Sequence, residues 1–504
     1  MSKSLITSKP GLIRALGPVL ATAIVIGSVI GSGVFKNPRL VAANVDYFGM
    51  IVMVWVLGGV LALLGTLTLG ELGALFPEAG GSYVFLRESF GRLAAFLFGW
   101  VEFWIIQAAG LAALATVFTD ELANVVLASP VFQKSGSMDW FGAPLTSYWG
   151  RQFVTVGMIM VMAGVNIRGV LWGGWLQSLI TSIKIATLLG ILALPFIALA
   201  WSEGELTRPK PEYLTPVWPS SWGGVNLAGF GIALVGVLWA YNGWMNLAFV
   251  AGEIKRPQRN LPLALLAGTG VIIFLYLGAN LAYALVLPRQ EMAGLKNVAV
   301  VTRFAEVMLG PIGSVVSSAA LMISVFGAFN GCLLTAPRVV FAMSEDGLAP
   351  RALAKVHPFY HTPARSILVF AVWSALLVFG AAIITQFPLP DVQLGQYTFS
   401  FNVPKDQTPF DLLTGFAIFG VVLFETLALT SIFTFRRMMP NAERAYRCLG
   451  YPWVPILYIA IMAVVAGHMF VNQRTESLVG LAFIAVGAGV YAFISHGSKK
   501  EHGV

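Results

Sequence analysis

The stretch Gly27-Ser28-Val29-Ile30-Gly31-Ser32-Gly33-Val34-Phe35 lies inside the first apolar segment of the chain. Glycine in a helix interior costs about 1 kcal/mol relative to alanine, so three glycines and two serines here predict an interrupted helix. Water cannot reach the middle of a bilayer to satisfy the freed N–H and C=O groups. Backbone exposed at such depth is therefore available as a ligand. A half-helix starting near Val34 aims its amides and positive dipole end at an anion. The half-helix ending near Gly27 offers carbonyls to a cation, and a zwitterion such as an amino acid needs both. Small residues at this spacing also serve close helix packing. The stretch alone leaves both readings open.

A second defect occurs at Gly236-Val237-Leu238-Trp239-Ala240-Tyr241-Asn242-Gly243-Trp244-Met245-Asn246. Asn-Gly is a turn pair, and its place at the centre of an apolar run predicts a break near Asn242. Two interrupted helices, each opening one half of the chain, are the pattern of an inverted-repeat carrier with its site at mid-membrane. Three ionisable side chains fall at similar depth. Lys184 stands in an apolar helix far from either end, which predicts a functional or paired role over snorkelling to the interface. Glu425 must be paired or protonated, with a backbone group or hydroxyl the expected partner and proton coupling the rival. Glu102 lies with Gln107 on the third span.

These groups are carried by a chain of 504 residues that is 57% hydrophobic and only 11% charged. That is well below the roughly 25% charge of soluble domains, so the class is a polytopic membrane protein. Apolar runs of about 20 residues predict about twelve helices, centred near Val25, Leu61, Ile105, Met160, Leu189, Leu238, Phe274, Met322, Val372, Leu423, Ala463 and Ile484. The runs lack the alternation of barrel strands. The expected divisions are a first repeat over 1–200, a second over 201–437, and an appended pair of helices with a tail over 438–504. With both termini inside, most of the 31 Lys and Arg face the cytoplasm. The net charge of +8 thus sets topology and does not call for a nucleic acid. Ala21-Thr22-Ala23 imitates a signal-peptide cleavage site, but hydrophobicity runs on to Phe35, so an uncleaved span is expected. The two cysteines, Cys332 and Cys448, offer no disulfide framework, and the five histidines lack metal-ligand spacing. No cofactor, metal or catalytic residue is expected.

Several motifs resemble one family. Gly31-Ser32-Gly33-Val34-Phe35 is similar to the first-span signature of the amino acid–polyamine–organocation superfamily, and within it of the L-type amino acid transporter family and its bacterial members. Glu71-Leu72-Gly73 through Pro77-Glu78-Ala79-Gly80-Gly81 and Tyr83 resemble its second-span exit. Trp244 through Glu253, Lys255, Pro257 and Arg259-Asn260-Leu261-Pro262 resemble its sixth-span exit. Phe326 to Gly331 with Arg338 resembles its eighth span, and Arg447, Gly450-Tyr451-Pro452 and Pro455 its eleventh. The resemblance implies an all-α fold with a five-plus-five inverted repeat, discontinuous helices 1 and 6, and two further helices. It implies a substrate carboxylate held by amides of Gly31, Ser32 and Gly33, and an α-amino group held by carbonyls of Val29, Trp239 and Asn242. It makes Trp239 the aromatic gate. It also implies that Lys184 takes the place of a sodium ion, meeting the carbonyls of Gly27 and Ile30. Animal members carry a cysteine after span three that joins a glycoprotein; the loop 129–150 has none, so no disulfide-linked heavy chain is expected.

The function expected is sodium-independent exchange or facilitated transport of neutral L-amino acids across the cytoplasmic membrane by alternating access. Neutral side chains follow from the absence of a carboxylate near either break in sequence, since a desolvated cation needs a partner. The alternative is a proton symporter using Lys184, or less favourably Glu425, as the titrating group. A channel lacks its charged or carbonyl rings here, and an integral-membrane enzyme lacks a nucleophile–base pair.

Overall fold

The computed structural model describes residues 12–128, 143–200, 208–295, 298–387, 392–394, 397–399 and 409–501. Most of the loop 129–150 and the extreme ends of the chain lie outside the described residues. Among these residues twelve helices are long and apolar enough to cross a membrane: Pro18–Lys36, Phe48–Leu75, Arg92–Leu127, Tyr148–Ile167, Gly173–Ala200, Leu227–Phe249, Pro257–Val286, Pro311–Glu345, Ala364–Gln386, Ala417–Met438, Trp453–Asn472 and Ser477–Ser495. They are spans 1 to 12 below. A multi-pass membrane protein of helices is what the composition requires. Spans 1, 2, 6 and 9 show almost no amphipathic stripe, because lipid on one side and protein on the other are both apolar.

Span 7 packs along span 2 and against span 1, while span 6 also meets span 2. Spans 3, 4, 8 and 9 form a second group, with span 8 on span 3 and span 9 on spans 3 and 4. Span 5 bridges the groups through spans 1, 7 and 8. Span 10 lies against spans 3 and 11, and span 12 against span 10 and the start of span 3. Contacts of span 2 with 7, 3 with 8 and 4 with 9 are those that a two-fold relation between spans 1–5 and 6–10 generates.

Three local features add detail to this architecture. Span 3 is not uniform: Glu102–Gln107 forms a π-helix between two α-helical stretches. The segment after span 7 folds as two short helices, Arg289–Gly294 and Val300–Leu309. The all-α class holds, and the connection between spans 9 and 10 carries a small antiparallel ladder, Val392–Leu394 with Tyr397–Phe399. Its Val, Tyr and Phe content favours strands, and it lies outside the spans, where backbone groups need not be satisfied within one helix.

One end of the bundle is held together by charge. Glu71, at the end of span 2, accepts from Arg436 Nε (2.7 Å) and Nη2 (2.7 Å), Arg444 Nε (3.0 Å) and the amide of Cys448 (2.7 Å). The Arg436 guanidinium also lies 4.5 Å from the centroid of the Tyr451 ring. Span 2 is thereby fastened to span 10 and to the loop before span 11. Beside it, burial pushes the Cys448 thiol up to about 11, opposed by its contact with the Thr68 hydroxyl.

Two outcomes follow for this end. Removing one partner of a buried ion pair leaves an uncompensated charge, so Glu71→Gln lowers stability by about 3 kcal/mol, read as a fall in unfolding temperature in detergent. Because the thiolate is the reactive species, Cys448 stays unlabelled by maleimide at neutral pH in the folded protein and labels after denaturation, as mass spectrometry reads.

Candidate functional site

The first helix ends at Val29, with Ile30 as its cap. Gly31 N–H, which in a continuous helix would bond the Gly27 carbonyl, turns instead to the Val29 carbonyl at 2.8 Å. Helix resumes at Gly33, with Phe35 and Lys36 amides on the Ser32 carbonyl. Amides at the start of this half-helix, Ser32, Gly33 and Val34, have no intrahelical acceptor by position. Gly33 is confined by packing: a Cβ there would lie 2.5 Å from Ala240 Cα on span 6. Gly31 has more room, since its Cβ would stand 3.3 Å from Leu114 Cδ2 and 3.5 Å from Ala328 Cβ.

The carbonyls released by this break are taken up by neighbouring spans. Lys184 Nζ, from span 5, donates to Gly27 O at 2.7 Å and to Ile30 O. Lys184 is only 1% exposed, and its partners are backbone oxygens. Gly327 on span 8 leaves space for it, because a Cβ there would come within 2.7 Å of Lys184 Cε. Ser324, one turn earlier, lies 3.3 Å from Ile30 O and 3.2 Å from Gly31 O. Ser324 was not singled out from the sequence; a serine on an apolar helix carries no distinguishing pattern.

Span 6 stops at Tyr241 and resumes at Asn246. The Asn242 amide returns to Trp239 O at 3.2 Å, and Gly243 adopts a φ of +114°, a conformation that favours glycine. Gly243 also lies against the first break, where a Cβ would meet Ser28 O at 2.9 Å. The Asn242 side-chain amide donates to Glu425 Oε1 at 3.2 Å. Glu425 therefore meets a side-chain amide, where a backbone group or hydroxyl was expected.

Between the two breaks is a small cavity of about 40 Å³. Val29, Gly31, Ser32, Gly33, Trp239 and Asn242 all line it. Lys184, Gly27 and Ile30 are not among its lining residues and meet behind the span-1 break. The other walls include Gln107, Gly110, Asn246 and Cys332. Gln107 Nε2 donates to Glu102 Oε1 (2.7 Å) and to Asn246 Oδ1 (2.9 Å), so the buried carboxylate beside the cavity is engaged by a neutral amide. The Trp239 ring closes over Gly110, where a Cβ would lie 3.7 Å from Cη2.

Below the cavity the bundle is shut at the end where the N-terminal segment lies. Arg338 and Glu253 pair at 2.8 Å with both side chains fully buried. Ala15 and Leu16 amides bond Glu253 O at 2.9 Å, and Lys255 N–H returns to Leu16 O at 2.8 Å. Tyr83 and Arg87 both reach Asp346 at 2.7 Å, linking the helix Ser82–Phe90 to the end of span 8. Both motifs were visible in the sequence, but their pairing was not.

The two glycines separate packing from binding. Gly31→Val fills the cavity and abolishes amino-acid binding while the protein remains folded, measured by scintillation proximity on purified protein. Gly33→Leu drives a side chain into Ala240; overpacking of this kind costs about 1–3 kcal/mol or more and lowers the yield of folded protein in size-exclusion chromatography.

Comparison with known proteins places this geometry. Residues 16–493 match the family model described as amino acid permease. The serine/threonine exchanger SteT of Bacillus subtilis is 30% identical over 500 residues, covering 98% of this chain and 99% of its own. The Asc-type amino acid transporter 1 of Mus musculus is 28% identical over 485 residues, 96% of this chain and 82% of that protein. The large neutral amino acids transporter small subunit 2 of Oryctolagus cuniculus is 30% identical over 365 residues, 72% of this chain and 64% of its own. With two broken helices facing one cavity and the family model matched across nearly its whole length, the chain belongs to the amino acid permease family of membrane transporters.

Proposed function

We propose that this protein exchanges neutral L-amino acids across the cytoplasmic membrane by alternating access, without sodium. The observation that supports the reading is the cavity between the breaks, lined by Gly31, Ser32 and Gly33 of span 1 and by Trp239 and Asn242 of span 6, with no charged side chain among its lining residues. A substrate carboxylate is assigned to the amides of Gly31, Ser32 and Gly33. The α-amino group is assigned to carbonyls of Val29, Trp239 and Asn242, and the gate to Trp239. The proposed working units are residues 1–200 and 201–437, with 438–504 appended and both termini cytoplasmic.

Exchange is favoured over proton coupling because the relative matched over nearly its full length is named an exchanger. The Lys184 amine supports sodium independence, since it supplies hydrogen bonds to the oxygens of Gly27 and Ile30 that a cation would otherwise neutralise. A disulfide-linked partner finds no cysteine in the loop 129–150.

Counterflow in proteoliposomes against a panel of the twenty amino acids tests the reading. Label should accumulate only against internal neutral amino acid, equally in sodium and choline, and without an imposed pH gradient. Uptake that requires sodium, or selective uptake of arginine with serine, threonine and alanine excluded, overturns it. In Lys184→Ala the released carbonyls lose their brace. Binding survives in part while exchange slows roughly tenfold, the equivalent of about 1.4 kcal/mol in the barrier.

A further inference from the structure

A much larger opening lies toward the closed end, away from the cavity between the breaks. It holds about 550 Å³ between the start of span 3, the end of span 8 with the turn that follows it, span 9 and span 12. Phe96, Trp100, Phe103, Leu348, Leu353 and Val490 are among its walls, and no charged side chain lines it among the described residues. Arg92, Phe96, Trp100 and Trp104 recur every fourth residue, so they follow one face of span 3. Their rings make a continuous row. Phe96 stacks on Trp100 with centroids 6.0 Å apart, Trp100 lies 5.9 Å from Trp104, and Trp104 meets Trp373 edge-on at 5.1 Å. At 1.5 Å per residue the row from Arg92 to Trp104 is about 18 Å long. The hydrocarbon core of a bilayer is about 30 Å thick, so the row is close to the depth of one leaflet.

The rim of this apolar groove is cationic. Arg92 opens span 3 one turn before Phe96, and Arg365 stands one turn before the lining Val369 on span 9. Arg351 is two residues before the lining Leu353. All three arginines are exposed. None of them forms an ion pair among the described residues. Arg92 Nη2 donates to the Asp346 carbonyl at 2.8 Å, which anchors its guanidinium at the rim. The neighbouring carboxylates of Glu88 and Asp346 are taken by Arg87 at 2.8 and 2.7 Å. That leaves Glu345 against three arginines. Apolar walls as deep as a leaflet, with guanidinium groups at the mouth, match an acyl chain that carries an anionic headgroup. A sterol brings no charge for the arginines, and a zwitterionic headgroup brings an ammonium that they repel.

We propose that this groove is a binding site for one anionic phospholipid, with an acyl chain along Phe96, Trp100 and Trp104 and the headgroup phosphate on Arg92, Arg351 and Arg365. The chain lies against Met343 and Leu348, which flank Asp346 and its contacts to Tyr83 and Arg87. The lipid is therefore placed to brace the closed end. The site uses none of the substrate assignments made above, so it stands or fails independently of them.

The test is lipid binding to the purified, delipidated full-length protein in detergent. Phosphatidylglycerol and phosphatidylcholine with identical chains are titrated separately, and bound lipid is counted by native mass spectrometry. The first phosphatidylglycerol binds the wild type at least about tenfold more tightly than the first phosphatidylcholine, since each arginine near the phosphate contributes a few-fold. In the triple variant Arg92→Gln, Arg351→Gln and Arg365→Gln, whose side chains are exposed, the two lipids bind alike. Phosphatidylglycerol brominated at mid-chain quenches tryptophan fluorescence saturably in the wild type, and Trp100→Phe with Trp104→Phe removes most of that saturable part. Equal affinity of the two lipids for the wild type overturns the site and marks the groove as an ordinary lipid-facing crevice. An unchanged preference in the folded triple variant, or saturable quenching undiminished without Trp100 and Trp104, overturns it as well.

Discussion

The structure depends on where the carbonyls of an interrupted helix go. Breaking span 1 releases the oxygens of Gly27, Ile30 and Gly31 in the interior of a membrane protein, where an unsatisfied peptide group costs several kcal/mol. Lys184 and Ser324 take them up, and each comes from a different span. The relation of spans 1, 5 and 8 follows from that satisfaction. So does the requirement for Gly327, since the lysine stem needs the volume that a side chain there would fill. The break is stable because its cost is met on one face, which leaves the other face free to meet a ligand.

Charge is distributed to the same end. Around the cavity the polar groups are backbone, amides and hydroxyls, and the carboxylates of Glu102 and Glu425 are each met by a neutral amide. The ion pairs that are largely buried lie toward the closed end, in Glu253 with Arg338 and in Glu71 with Arg436 and Arg444. Buried pairs contribute little net stability but cost much to break unilaterally. They suit a seal that has two discrete arrangements better than one that slides. A carrier moving between two faces needs such a seal, and needs a mid-section with few charges that would have to be desolvated anew in each state.

The second break is built differently from the first. Span 6 turns at Gly243 by a positive φ, and its loosened residues are held by Glu425 through Asn242 and by Gln107 through Asn246. Gln107 closes a π-helical segment of span 3, so the irregularity of span 3 and the break of span 6 meet at one hydrogen bond. Tyr276, on span 7, meets the carbonyls of Ala240 and Val29 and so joins this half of the site to span 1. The two half-sites are accordingly coupled through span 7, although no pattern in the sequence of span 7 marks the residue that does it.

The sequence by itself determined the class, the number and approximate position of the spans, and both breaks. The physical reason is that these are local properties: hydropathy sets a span, and glycine, serine and Asn-Gly weaken a helix wherever they occur. The sequence also marked Lys184 and Glu425, because an isolated charge in an apolar run is expensive in any fold. It did not determine partners. That Glu425 meets Asn242, that Arg338 meets Glu253, that Gly33 is excluded from carrying a side chain by Ala240, and that Tyr276 bridges two carbonyls all depend on contacts between residues distant in the chain. Tyrosine, serine and glutamine are ordinary on a buried helix, so their composition carries no signal. Only the packing of span against span decided which of them became part of the site, because hydrogen bonds of this kind exist only once packing brings donor and acceptor within about 3 Å of each other.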